Sequence, residues 1–369
     1  MGSLKIGVIG YGLRCRGMVK ELVKLGGCRI AAVADPDMDN VRQKLQEDGH
    51  DARMFDSAAD MLDAVALDAV MVGTRCSKHV EMAVQVLGRN LPLFLEKPVA
   101  TTMQDLIVLR RNCETSRSPV VVSHPLRLTP VVRLVKEIVD SGQLGTVEHA
   151  QAYCNVPYGL VYFKGWYRDE GETGGLFLQK ATHDFDYLNF ILQAKPTQIC
   201  AMTSKQVFKG NKPAGLKCPD CDENDTCEEG QARQWESCCY AEDTGNEDSG
   251  SALIRYESGM HVSYSQNFFV RRKAGLRGAR LIGYKGTLEF DFSGKIRVFL
   301  HHKPRVDTYE LEAENGHSGG DAALARNFIQ VIRGEGRSIS SLNDGMLSAY
   351  MCLKARESAQ TGSFQQLNW

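Results

Sequence analysis

Residues 1–17 read MGSLKIGVIGYGLRCRG, and this stretch decides the fold. Leu4 to Ile9 is an apolar, partly β-branched run of strand length. It ends in Gly10-Tyr11-Gly12, and helix-compatible sequence from Leu13 to Leu25 follows at once. A strand that turns into a helix through glycines forms a phosphate cradle. Gly10 permits the turn, Gly12 lets the backbone approach a pyrophosphate, and the first helical N–H groups face the anion. Tyr11 and Leu13 complete the candidate loop. Cys15 stands where a third glycine is usual.

Working outward, Arg29 to Ala34 is a second buried-looking strand ending in Asp35, 23 residues past Gly12. A dinucleotide-binding βαβ unit places the carboxylate that holds the ribose hydroxyls at about this distance. An acid there repels a 2′-phosphate, so NAD is expected over NADP. Strand-like runs at Asp68–Gly73, Leu91–Leu95 and Val120–Ser123 alternate with helical segments, the pattern of a parallel, doubly wound sheet. Such a sheet binds its ligand at the carboxyl ends of its strands. Those ends carry Gly10, Asp35, Thr74, Lys97 and His124, and His79 and Glu96 join the candidate cofactor set.

After about residue 124 the rhythm changes to short strands linked by turns, closed by two helices at about 321–333 and 344–359. The expected architecture is α/β: an N-terminal Rossmann domain over residues 1–123, then an α+β domain over 124–369. Its sheet is expected to be open and mostly antiparallel, with a Cys-rich insert at about 210–249.

The 369 residues are 43% apolar and 24% charged with a net charge of −1, which suits a two-domain protein and argues against general nucleic-acid or membrane-surface binding. No apolar run approaches the length of a transmembrane helix. The N-terminus shows no signal-peptide pattern, and Ile6 occupies the position a myristoylation motif needs as Ser or Thr. A cytoplasmic location with reduced cysteines is therefore expected.

Two features carry the chemistry. Lys97 sits between Glu96 and Pro98 at the end of a buried strand, where partial burial lowers a lysine pKa toward neutrality. The second is the helix that follows Gly174-Gly175. At 100° per residue, Lys180, His183, Asp184 and Tyr187 fall on one stripe beside an apolar one. His183 is placed to exchange a hydroxyl proton, with Asp184 or Lys180 tuning it. Trp166, Tyr167 and Tyr162, just before this helix, suit stacking on an apolar ligand face or packing in the core equally well. His124, Trp166, Tyr167, Asp184 and Tyr187 are the candidate substrate contacts.

The glycine turn with Asp35, Glu96-Lys97-Pro98, the Gly-Gly…His-Asp helix and the late His317-Ser-Gly-Gly-Asp321 occur in an order that resembles the glucose–fructose oxidoreductase / inositol dehydrogenase / rhizopine catabolism (Gfo/Idh/MocA) family. The resemblance implies a nicotinamide-dependent enzyme acting on sugars, inositols or their derivatives. It implies catalytic roles for Lys97 and His183, and an open C-terminal sheet used for homo-oligomerisation. Many members carry an aspartate four residues before the histidine, where this chain has Gln179. A glutamine is no general base, so a relay would run through His183, Lys97 or Lys180. Two other readings stand beside the dehydrogenase: a glycosidase with tightly bound NAD, and a non-catalytic NAD-binding sensor.

Two motifs lie outside that frame. Cys218, Cys221, Cys227 and Cys238 or Cys239 have metal-site spacing within an acidic, polar insert. A structural zinc is the expected occupant, an iron–sulfur cluster the alternative, and free thiols the plain reading. Arg271, Arg272, Lys273, Arg277 and Arg280 form a cationic run. It reads either as a solvated loop balancing the acidic insert or as a rim for an anionic substrate such as a uronate or sugar phosphate.

Overall fold

A computed structural model describes residues 2–230, 236–312 and 315–369. The chain divides into two compact units, Met1–Pro130 with Glu314–Ala349, and Val131–Ala313 with Tyr350–Trp369.

The first unit holds a six-stranded parallel sheet built from β1 (Leu4–Ile9), β2 (Cys28–Ala34), β3 (Arg53–Phe55), β4 (Ala69–Val72), β5 (Leu93–Leu95) and β6 (Val120–Val122), in the order β3-β2-β1-β4-β5-β6. β1 lies between β2 and β4, which explains its run of four buried residues from Ile6 to Ile9. The strand order reverses beside β1, so the glycine turn at its end sits at the switch point where such sheets bind ligands. Three-residue β3, opening on exposed Arg53, carried too little apolar pattern to be read from sequence.

The sequence reading assigned everything after residue 123 to the second domain. Instead the Gly320–Ile332 helix buries Leu324, Ala325, Phe328 and Ile329 in the first unit's core with Met18, Leu22 and Phe94. Phe328 meets Phe94 edge-on at 5.5 Å. An amphipathic helix shows which face it buries but not against which core, so chain order misled here.

The second unit is built on β7 (Val147–Asn155), β8 (Pro196–Ser204), β9 (Ser249–Tyr256), β10 (His261–Asn267), β11 (Leu276–Gly283), β12 (Gly286–Asp291), β13 (Lys295–Leu300), β14 (Arg305–Glu310) and β15 (Gln365–Gln366). Among the described residues these form one open sheet in the order β14-β13-β12-β11-β7-β10-β9-β8-β15, antiparallel except where β7 meets β10. Alternate residues of β9 and β10 are buried, as a one-sided sheet requires. One turn of π-helix, Phe177–Ala181, leads into the Thr182–Leu192 helix, whose Phe185 packs edge-on against Tyr264 of β10. No helix among the described residues is long and apolar enough to cross a membrane.

Candidate functional site

The glycine turn is preformed for a dinucleotide. Gly10 has φ +83°, and a Cβ on it would lie 2.7 Å from the Thr74 amide nitrogen, so both its conformation and its surroundings exclude a side chain. Gly12 caps the Leu13–Lys24 helix with extended backbone. No side chain occupies that cap, and no acid lies in the first turn. The helix therefore presents its amide end to an anion. Asp35, half-buried at the end of β2, accepts the Tyr11 amide at 2.9 Å through Oδ2 and the Asp37 amide at 3.0 Å through Oδ1, which fixes its carboxylate beside the turn. These residues fit NAD. Tyr11 contributes backbone alone: its ring is buried and its hydroxyl donates to Asp48 at 3.0 Å. Leu13 is almost fully exposed at the helix start.

Cys15 explains the missing third glycine. It is buried against Gly73, where a Cβ would fall 2.5 Å from the Cys15 Cβ. The glycine that close helix–strand packing demands has moved across the contact, from the helix to the end of β4.

At the ends of β5 and β6, one cation ties several elements together. The Arg14 guanidinium forms a two-pronged pair with Asp321 at 2.6 and 2.9 Å. It also reaches Glu96 at 3.2 Å and Ser123 Oγ at 3.2 Å. Ser123 in turn donates to Glu96 at 3.0 Å. His317 Nδ1 lies 2.9 Å from Asp321. Burial alone would raise the Asp321 carboxyl, but the hydrogen bonds from His317 and Arg14 outweigh it and hold the group well below the usual carboxylate range. Glu96 is thus a buried strut of this network, and neighbouring Lys97 is half-exposed. His79 is buried, with Nδ1 2.7 Å from the Pro98 carbonyl oxygen, and its pKa is lowered by desolvation. It props the Lys97–Pro98 turn and offers the cofactor no exposed face. Thr74 is half-exposed beside Gly10, and His124 is buried at the end of β6. Sequence spacing does not show this network, because Arg14 lies 109 residues from Ser123 and 307 from Asp321.

In the second unit, a π-turn places Lys180 and His183 one turn apart; single π-turns recur at functional sites. The Glu247 carboxylate accepts the Leu176 and Phe177 amides at 2.9 and 3.1 Å, capping the segment. Gly159, next to Tyr158, presses against the residue that follows β10, where a Cβ would stand 1.9 Å from the Phe268 oxygen. Lys180 donates to the Tyr158 hydroxyl and sits 4.5 Å from the Tyr158 ring centroid and 5.8 Å from that of Tyr162. Desolvation pulls the Lys180 ammonium down, the Tyr162 and Tyr158 oxygens that accept from it push it up, and the net direction is upward. Lys180 is therefore a fixed cation rather than a base. His183 is largely buried. Asp184 and Tyr187 do not reach a substrate. Asp184 is fully buried, accepting Arg277 Nε at 2.7 Å and the Tyr264 hydroxyl at 2.9 Å, and Tyr187 is packed among Phe290 and Phe292. Trp166 and Tyr167 are half-exposed and stacked on each other at 3.8 Å.

Residues 4–124 match the model described as "Oxidoreductase family, NAD-binding Rossmann fold", and residues 132–289 match the "GFO/IDH/MocA C-terminal domain". The chain belongs to the Gfo/Idh/MocA family. It is 28% identical over 338 residues to the oxidoreductase YteT of Bacillus subtilis (strain 168), covering 78% of each chain. An inositol 2-dehydrogenase of Gluconacetobacter diazotrophicus is 32% identical over 147 residues, 39% of this chain and 44% of the relative. The myo-inositol 2-dehydrogenase of Lactobacillus plantarum shares the fold, with a TM-score of 0.76 at 18% identity over 98% of this chain and 99% of the other.

Within this Gfo/Idh/MocA chain, Gln179 serves as scaffold: it is buried and its amide donates to the Thr173 carbonyl at 2.9 Å. The cysteine insert departs from the expected zinc site. Among the described residues, no three His, Cys, Asp or Glu side chains are grouped to hold a metal. Cys218, Cys221, Cys227 and Cys238 are free thiols, and Cys238 is pushed up by burial first and by the other three thereafter. Ion pairs and hydrogen bonds anchor this segment instead. Buried Lys164 donates to Cys218 Sγ at 3.2 Å and to the Glu229 carbonyl at 2.5 Å, Arg271 pairs with Glu229 at 2.6 Å, and Arg168 with Asp243 at 2.6 Å. Of the cationic run, Arg272 and Lys273 are exposed, and the other three have acidic partners. Arg271 balances the acidic insert, Arg277 is committed to Asp184, and Arg280 pairs with Glu289 at 3.4 Å.

Proposed function

We propose that the protein is an NAD-dependent dehydrogenase of sugars, inositols or related polyols. The observation that carries this reading is the preformed glycine turn, with Asp35 fixed beside it and half-exposed Lys97 at a neighbouring strand end of the same sheet. Bound NAD supplies the hydride acceptor. Gly10, Gly12 and the helix start hold its pyrophosphate, and the free lone pairs of Asp35 accept ribose hydroxyls. Lys97 or His183 takes the carbinol proton. The names of the relatives support a polyhydroxylated substrate. Exposed Met202 on β8 and Leu253 on β9, facing out from the open sheet, support a homo-oligomer through that face, and twelve free thiols support a reducing cytoplasm.

The test is substitution. Lys97→Ala and His183→Ala are expected to keep NAD affinity while turnover of sugars, inositols or uronates falls about 10²–10⁴-fold, the range for lost acid–base groups. NADH must accumulate with product. Wild-type turnover rates in both variants, or aglycone release without net NADH, refutes the proposal.

A further inference from the structure

The most informative feature the reading leaves unexplained is the ammonium of Lys180. The residue is 6% exposed. Among the described residues its partners are the Tyr158 and Tyr162 hydroxyls, to which it donates, and the faces of the same two rings, and no carboxylate pairs with it. Burial pushes the neighbouring Tyr162 phenol and Cys154 thiol up, so neither offers it an anion near pH 7. The nearby cation, Arg277, is already matched by Asp184 at 2.7 Å. The cluster of Lys180, Arg277 and Asp184 therefore carries one unmatched positive charge in the interior.

An ammonium has three donors; the Tyr158 hydroxyl takes one and the Tyr162 hydroxyl a second, which leaves one. A buried charge with neither counter-ion nor full hydrogen bonding is expensive, and an anionic ligand would relieve that cost. The cover over this charge is Tyr158, which is 58% exposed, so the charge lies one phenol ring from solvent. Lys180 also precedes His183 by one helical turn, which puts the charge next to the proposed proton carrier.

We propose that Lys180 is the counter-ion of an anionic substrate: the polyol this enzyme oxidises is a sugar acid, whose carboxylate takes the remaining Lys180 donor and the Tyr158 hydroxyl proton. A carboxylate fits better than a phosphate, because a single unmatched charge is available and a phosphate dianion would need the arginine that Asp184 holds. The inference rests on the hydride-transfer reading above and narrows its substrate class. It also places an anion site at Lys180, apart from the arginine run, of which Arg271, Arg277 and Arg280 are paired with acids.

Calorimetric titration of the NAD-loaded protein with galacturonate, galactose and galactose 6-phosphate tests it. Wild type is expected to bind galacturonate about 10- to 100-fold more tightly than galactose, the worth of one charge-assisted contact. In Lys180→Gln the preference should fall to within about twofold, with NAD affinity kept, and Lys180→Arg should retain most of it. Equal wild-type affinity for galacturonate and galactose overturns the proposal, as does an unchanged preference in Lys180→Gln. Tighter binding of the phosphate than of the uronate overturns the carboxylate assignment. These wild-type comparisons hold even if a variant does not fold. Neutral sugars reducing NAD with no dependence on Lys180 would sink this inference and leave the dehydrogenase reading intact. Lys180-dependent uronate binding with no NADH formed would do the reverse.

Discussion

Replacing Arg14 with methionine probes the network that carries the Lys97 strand end. The side chains of Glu96 and Asp321 are 5% and 8% exposed, and both lean on one guanidinium that is 30% exposed. Arg14→Met keeps the aliphatic bulk and strips the charge, leaving two carboxylates facing each other in the interior. Breaking a buried pair by removing one partner costs about 3–5 kcal/mol. Water reaching the site past the half-buried arginine, and His317 still bonded to Asp321, place the expected loss near the lower end, about 3 kcal/mol, or roughly 150-fold in the folding equilibrium. The loss should depend on pH. In the wild type, Asp321 has a folded pKa below its unfolded one, so its stabilisation is present above about pH 4 and lost as pH falls through the folded value. In the variant the stranded carboxylates bind protons more readily when folded than unfolded, so acidification from pH 7 to 5 should narrow the gap between the two proteins. Urea unfolding followed by fluorescence and circular dichroism at both pH values measures this. A loss under about 1 kcal/mol, or one that is the same at pH 7 and 5, would refute the claim that Arg14 neutralises both acids.

Two further outcomes are expected. Gly73→Ala drives a Cβ to 2.5 Å from that of Cys15, so it should cost about 1–3 kcal/mol by overpacking, and the second change Cys15→Gly should recover most of it in thermal melts. Asp35→Ser removes the acid beside the glycine turn, so the ratio of NADP to NAD affinity by fluorescence titration should rise at least tenfold. An unchanged ratio would move the ribose away from Asp35.

What the sequence alone determined was local. The turn at Gly10-Tyr11-Gly12, the acid at Asp35 and the strand–helix rhythm up to Val122 are written in period, spacing and residue type, because each depends on backbone geometry over a few residues. The tertiary structure decided where charges go. Asp184 and Lys180 share one helical stripe, yet one is neutralised by Arg277, nearly a hundred residues away, and the other is left unmatched. Periodicity gives a side chain's direction but not the group that meets it. The same limit made four spaced cysteines look like a metal site, and it hid the exchange of a glycine between residues 15 and 73. It also gave the Gly320–Ile332 helix to the wrong core, since burial is a property of the partner as much as of the segment.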